Sequence, residues 1–244
     1  MSKVYADAVT SPEATQDLTL GGSGDNVIVT AGATLKTNTI KDAGGNTIWT
    51  SDGSGNLSSL NSGFSSNITL ISTHTISSAV ASLDITTGID STYKLYIFKW
   101  FDWQGVGKGS ALKFQANVAG ASGFNETMQS TAFRSIGYES GSGNMFEYTD
   151  YDQANGTATQ FLHGNCGNGA DQCSVGYLYL FNPSNTTYMT HFYAQGQTVH
   201  GNDAAFTHFT AGYFNVTGAI DEISFAMTHS SNIESATIKM YGVG

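Results

Sequence analysis

Six histidines, two cysteines and nineteen carboxylates are the side chains of this 244-residue chain that could carry chemistry. His74, His163, His191, His200, His208 and His229 are scattered, with no His-x-His pair and no His-Glu-x-x-His run to hold zinc. His191, His200 and His208 would converge only if their strands were neighbours, or a threefold axis could gather copies of one histidine. The expectation is hydrogen-bonded or solvated strand histidines and no metal. Asp52-x-Ser54-x-Asn56 opens like a calcium loop but lacks its sixth-position glycine and closing glutamate, so an Asx turn is expected. Asp150, Asp152, Asp221 and Glu222 could serve a calcium-dependent lectin loop, though no spacing demands it. Glycoside hydrolysis needs two facing carboxylates. Glu139 with Glu147 or Asp150 would qualify, yet such pairings arise by chance among nineteen acids. No serine sits in a Gly-x-Ser-x-Gly elbow. The expectation is a protein without catalysis and without cofactor.

Cys166 and Cys173, in HGNCGNGADQCSVG, bracket a small glycine-rich loop. A disulfide there would add roughly 2–3 kcal/mol through the unfolded chain; two free thiols are the alternative. Two cysteines cannot complete a tetrahedral zinc site, and the spacing is not Cys-x-x-Cys.

Aromatic side chains on a rigid sheet can stack on sugar rings while Asn and Asp fix the hydroxyls. Trp100, Trp103, Tyr138, Tyr148, Tyr151 and the aromatics of 188–193 could form such a platform, but most are assigned to the core or a subunit interface. Recognition is expected on the loops at 104–109, 120–126 and 149–158. The candidate residues are Trp103, Lys108, Asn125, Tyr151 and Asn155.

The elements that would position these residues are strands. Charged residues are 11% of the chain, with 29 Gly and 12% aromatics. Such a chain is too aromatic to be disordered and too poor in Glu, Lys and Leu to be helical. A net charge of −10 with nine Lys and Arg argues against phosphate-mediated nucleic-acid binding and against docking on an anionic membrane. No run of 18 apolar residues and no secretory h-region is visible, so neither membrane insertion nor a signal peptide is expected.

Residues 1–17 read as an extended arm that anchors the protein to a larger assembly. Residues 18–62 read as a β-rich stem. Its bursts at Leu18–Leu20, Val27–Thr30, Leu35–Ile40 and Thr47–Thr50 are split by Gly and Asp turns, and KDAGGNTIW forms a hairpin with Ile40 and Ile48 bracketing the turn. That payload is marginal for a lone meander, so an intertwined trimer is expected. Residues 63–72 read as a linker. Residues 73–244 hold strand-like runs at 73–86, 92–103, 110–119, 127–140, 145–148, 159–164, 175–183, 187–195, 206–216, 220–229 and 236–243, and read as a jelly-roll β-sandwich head. Its strongest run, 92–103, alternates Tyr93, Leu95, Ile97, Phe101 and Trp103 against Tyr96, Phe98 and Trp100.

Four stretches resemble a family of virion structural proteins of marine tailed phages, including those of cyanobacteria. AGATLKTNTIKDAGGNTIWTSDGSGNLSS (31–59) is similar to the family's stem, and ISSAVASLDITTGIDSTYKLYIFKW (76–100) to its first head strands. GYLYLFNPSNTTYMTHF (176–192) is similar to a head strand pair, and AGYFNVTGAIDEISFAMTHSSNIESATIKMYGVG (211–244) to the final hairpin. The cysteine loop has no counterpart in that pattern. The resemblance implies a β-rich, trimeric tail-fibre-like protein on the virion surface, joined to other virion proteins by its N-terminal arm and released by host lysis. Contact with a host-surface glycan is the expected role, and capsid or neck decoration the alternative.

Overall fold

The computed structural model describes residues 37–54, 56–60, 67–147, 149–228 and 231–244. The expected arm, the first two stem bursts and the start of the third lie outside the described residues. The chain divides into two compact units, Met1–Ser65 and Ser66–Gly244.

In the first unit β1 (Thr39–Lys41), β2 (Thr47–Ser51) and β3 (Leu57–Leu60) form an antiparallel meander. Both turns are closed by an aspartate. Asp42 Oδ1 accepts from the backbone N–H groups of Gly44 (2.9 Å) and Asn46 (2.8 Å), and Asp52 Oδ1 from those of Ser54 (2.7 Å) and Asn56 (3.1 Å). Asp52 is therefore an Asx-turn residue, as its sequence implies. Ile40 pairs with Trp49, not with Ile48, because a bulge follows Ile40.

The second unit carries thirteen strands among its described residues: β4 (Ile68–Ile76), β5 (Ser82–Ile85), β6 (Leu95–Gly105), β7 (Leu112–Val118), β8 (Met128–Tyr138), β9 (Gly143–Glu147), β10 (Ala154–Gly156), β11 (Gln160–Phe161), β12 (Ser174–Phe181), β13 (His191–His200), β14 (Ala204–Phe214), β15 (Ile220–Met227) and β16 (Ile233–Val243). They form two antiparallel sheets. One runs β10-β8-β14-β13-β12-β6-β16-β4 with β9 added on β8; the other runs β11-β7-β15-β5. The expected linker fails over 68–72, because those residues belong to β4 and pair with β16. The run expected at 187–195 lies four residues later as β13, since Asn185 Oδ1 caps a turn through the N–H groups of Thr187 (2.7 Å) and Tyr188 (2.8 Å).

The sheets meet face to face as a β-sandwich. Phe98 and Trp103 of the nine-stranded sheet contact Phe225 of the other at ring-centroid distances of 5.8 and 6.1 Å, and Phe114 stands edge-on to Phe192 at 5.2 Å. Trp100 fits because the facing positions on β12 and β13 are Gly176 and Gly196; a Cβ on Gly176 would overlap the indole ring. The larger sheet extends past the smaller one on its β13-β14-β8 side. There its inner surface is covered by the segment 149–173, which begins with a 3-10 turn, Thr149–Tyr151. Tyr151 stacks on Phe161 and His208, Ser130 Oγ donates to Gln160 Oε1, and Thr210 Oγ1 donates to Phe161 O.

Candidate binding face on the nine-stranded sheet

Alternation along a strand sends every second side chain to the side away from the core. In β12, Leu178 and Leu180 point inward at 0% exposure, which leaves Val175, Tyr177, Tyr179 and Phe181 facing out. The pairing registers then align outward residues in rows. One row crosses seven strands: Lys239, Lys99, Tyr177, Gln195, Phe209, Phe133 and Glu147. Six inter-strand steps make it about 29 Å long. The next row reads Tyr241, Ile97, Tyr179, Tyr193, Ala211 and Thr131. Phe133 and Phe209 stack at 4.7 Å, and Tyr179 lies nearly parallel to Tyr193 at 6.1 Å. Tyr177 Oη donates to Gln195 Oε1 at 2.6 Å, and burial together with the neighbouring Tyr193 and Tyr179 raises its phenol pKa.

Three open depressions lie on this face. The first, about 320 Å³, is walled by Lys99, Phe101, Val175, Tyr177, Gln195 and Gln197 over a floor at Gly176. The second, about 340 Å³, includes His191, Tyr213, Gln129 and Thr131; the third, about 100 Å³, lies among Phe133, Tyr193 and Phe209. Ring edges and faces beside amide and hydroxyl groups are the chemistry that holds pyranose rings.

The residues expected to form a recognition surface do not do so together. Trp103 is fully buried, because Asp102 adopts φ 50° inside a bulge that adds one residue to β6 against both neighbouring strands. The slip turns Trp103 to the same side as Trp100, where its Nε1 donates to Met227 Sδ at 3.2 Å. Tyr151 is buried too, as the inner cover already described. Lys108, Asn125 and Asn155 are exposed. Lys108 lies against Gly201 near the Tyr138 end of β8, while Asn155 contacts Gln129 and Asn215 at the other end, roughly 30 Å away.

Cys166 and Cys173 are free thiols, not a disulfide. The loop is closed by hydrogen bonds instead: Gln104 Nε2 donates to Gly169 O (2.6 Å) and Gln172 O (2.9 Å), while Gly169 N donates to Gln172 Oε1 (3.0 Å). Cys166 is fully buried between the backbones of Ser110 and His200, and burial pushes both thiols up.

The histidines do not gather into a ligand set. His191 faces outward beside Tyr213, and His200 stacks on Phe206. His163 and His208 are interior, beneath the overhang. His163 Nε2 lies 2.8 Å from Ser174 Oγ; its Nδ1 and both ring nitrogens of His208 have no hydrogen-bond partner. Burial holds both pKa values down at about 3, with His208 further depressing His163 and Arg134 further depressing His208. The Ser174–His163 contact has 0% exposure at both residues, so no substrate reaches that hydroxyl. Glu139 and Glu147 are apart: Glu147 ends the outward row, whereas Glu139 lines a depression at the sheet's end with Asp171 and Asp203. Among the described residues no group of three His, Cys, Asp or Glu could hold a metal, and no helix is long and apolar enough to cross a membrane. His229 and Tyr148 lie outside the described residues.

The outward row was missed because its members come from strands far apart in sequence. The signal within β12 was the double alternation of VGYLYLF, whose Tyr side needs a wet or occupied face. Comparison with known protein families, curated proteins and solved structures finds no match.

Proposed function

We propose that this chain is a non-enzymatic surface protein of a bacteriophage virion, a homotrimeric fibre or spike that contacts the host by binding glycan on the outward face of the nine-stranded sheet. The observation that carries the reading is the aromatic row with its neighbouring amides and depressions. A soluble monomer rarely leaves such a face unused. The virion context and the trimer rest on the sequence resemblance and on the stem's small apolar content. The jelly-roll reading is supported by strand order. Taking β4, β5, β6, β7, β11, β12, β15 and β16 as strands one to eight, one sheet runs one-eight-three-six and the other two-seven-four-five. That is the interleaving of a jelly roll, with β8–β10 and β13–β14 as insertions.

The decisive test is adsorption competition. Host cells saturated with the purified chain should take up phage more slowly in a dose-dependent way, and Tyr177→Ala with Tyr193→Ala should relieve the block. No binding and no block by correctly assembled protein refutes the attachment role. One observation favours the second reading, a capsid or neck decoration protein. The Phe133–Phe209 end of the row, with Phe133 45% exposed and Met145 71%, offers little hydrogen bonding and suits a protein neighbour. Retention of the protein on tailless capsids would select that reading.

A further inference from the structure

Lys99 and Lys239 are two of only nine Lys and Arg residues in a chain of net charge −10. They stand directly opposite each other on β6 and β16, at one end of the outward row. Like charges in opposed cross-strand positions work against the sheet. The surrounding outward positions are Ile97, Phe101, Tyr177, Thr73, Thr237 and Tyr241, none of which is a carboxylate. Among the described residues neither ammonium has an ion-pair partner. Lys99 Nζ instead lies 5.6 Å from the centroid of the Tyr241 ring.

The same lysine lines the edge of the 320 Å³ depression, and its ammonium is turned to the β16 side, over Tyr241 and toward the strand that carries Lys239, so the charge borders the place where a ring would sit. Tyr177 and Phe101 supply apolar walls. Gln195 takes the Tyr177 hydroxyl on its oxygen and keeps its amide N–H groups for a ligand; Gln197 donates to Thr198 O and keeps its oxygen. A neutral sugar has no use for the paired cations. A second copy docking through apolar contacts would bury two unpaired ammoniums, which is strongly unfavourable.

We propose that the Lys99–Lys239 end of the face is a subsite for an acidic sugar of the hexuronate kind, with its ring against Tyr177 and Phe101 and its carboxylate between the two ammoniums. This rests on the glycan-binding reading and makes it specific.

The test is calorimetric titration of the full chain with tri-galacturonate, with its methyl ester, which keeps the rings and removes the charge, and with inorganic sulfate. The acid form should bind at least tenfold more tightly than the ester at low salt, and the gap should narrow as ionic strength rises. Lys99→Gln with Lys239→Gln should abolish the gap by bringing the acid form down to the affinity of the ester, and Lys113→Gln, on the other sheet, should change nothing. Lys99→Gln alone should narrow the gap and serves if the double variant does not fold. Equal binding of acid and ester, or a gap that survives the lysine variants, overturns the inference and leaves glycan binding standing. Sulfate binding as tight as the trisaccharide overturns it as well, since the rings would then contribute nothing. If neither saccharide binds, the glycan reading falls with it.

Discussion

Acid should destabilise the sandwich in a pH window that only histidines can explain. His163 and His208 are buried and neutral, with folded pKa values lowered from 6.5 to about 3. A group whose folded pKa is depressed in this way contributes its full stability above the unfolded value. That contribution is lost progressively as pH falls below 6.5, because the unfolded chain takes up protons that the folded chain refuses. Between pH 6.5 and 5 each histidine loses about 2 kcal/mol, 1.5 decades at about 1.36 kcal/mol each. The pair loses about 4 kcal/mol, a large part of the 5–15 kcal/mol of a typical domain. For a unit of this size that lowers Tm by about 8–16 °C. The carboxylates act elsewhere. Asp42, Asp52 and Asp90 have pKa values lowered from 3.8, chiefly by side-chain hydrogen bonds from Asn46, Asn56 and Thr92, so their contribution is lost only as pH falls through the region below about 4.

The assay is differential scanning calorimetry at pH 7.5, 6.5, 5.5 and 5.0 in constant ionic strength. Nitrogen-15 spectra of the imidazoles should show two rings still neutral at pH 5. His208→Gln with His163→Gln should flatten the Tm profile over this range. A wild-type Tm constant within 2 °C from pH 7.5 to 5.0, or titration of the His163 and His208 rings themselves near 6.5, would refute the reasoning.

Four further outcomes follow from the packing. Gly176→Ala should destabilise by about 2–3 kcal/mol, because the added methyl overlaps Trp100 and Gln195 O with no room to give; urea denaturation measures it. Reductant should leave Tm unchanged, and Ellman's reagent should find Cys173 in the native protein and Cys166 only after unfolding. A fragment spanning 66–244 should fold with near-native circular dichroism, since both sandwich sheets lie within it; aggregation of that fragment would contradict the division into units. Light scattering should give about three times 25.8 kDa, and a mass of 25.8 kDa would rule out the intertwined stem.

Sequence alternation located most head strands to within a few residues, because half-buried strands flanked by Gly, Asn and Asp turns leave a period-two trace. It failed where one residue broke the period. Strict alternation through 92–103 puts Trp103 beside Phe101 on one side and Trp100 on the other. Asp102 takes a left-handed φ of 50°, which Asp tolerates better than most residues, and the extra residue returns Trp103 to the core. Nothing local distinguishes that Asp from an ordinary exposed strand residue. The binding face was illegible for a different reason. Lys99, Tyr177 and Lys239 adjoin only because β6 lies between β12 and β16, strands some 80 and 140 residues further along the chain. Alternation shows that Tyr177 and Leu178 face opposite ways, but only the partner sheet decides which way is in.

The acid-sensitive histidines and the aromatic face have one structural origin. Extending the larger sheet through β13, β14 and β8 carries the outward row past Gln195 to Phe209, Phe133 and Glu147. β7 of the smaller sheet reaches β13 and β14 only through Phe114, and the rest of the inner side of the extension is closed by the segment 149–173, which supplies the edge strand β11 and whose groups are largely polar. Gln160, Ser130 and Ser174 find partners there, and His208 does not. An unpartnered buried imidazole destabilises the fold even when neutral, and far more when protonated. Narrowing the sheet to β12 would remove that penalty, and with it half of the outward row. It would also strip Met128, Phe192 and Phe214 from the main core, so the strands that carry the unpartnered imidazole are the same ones that complete the sandwich interior.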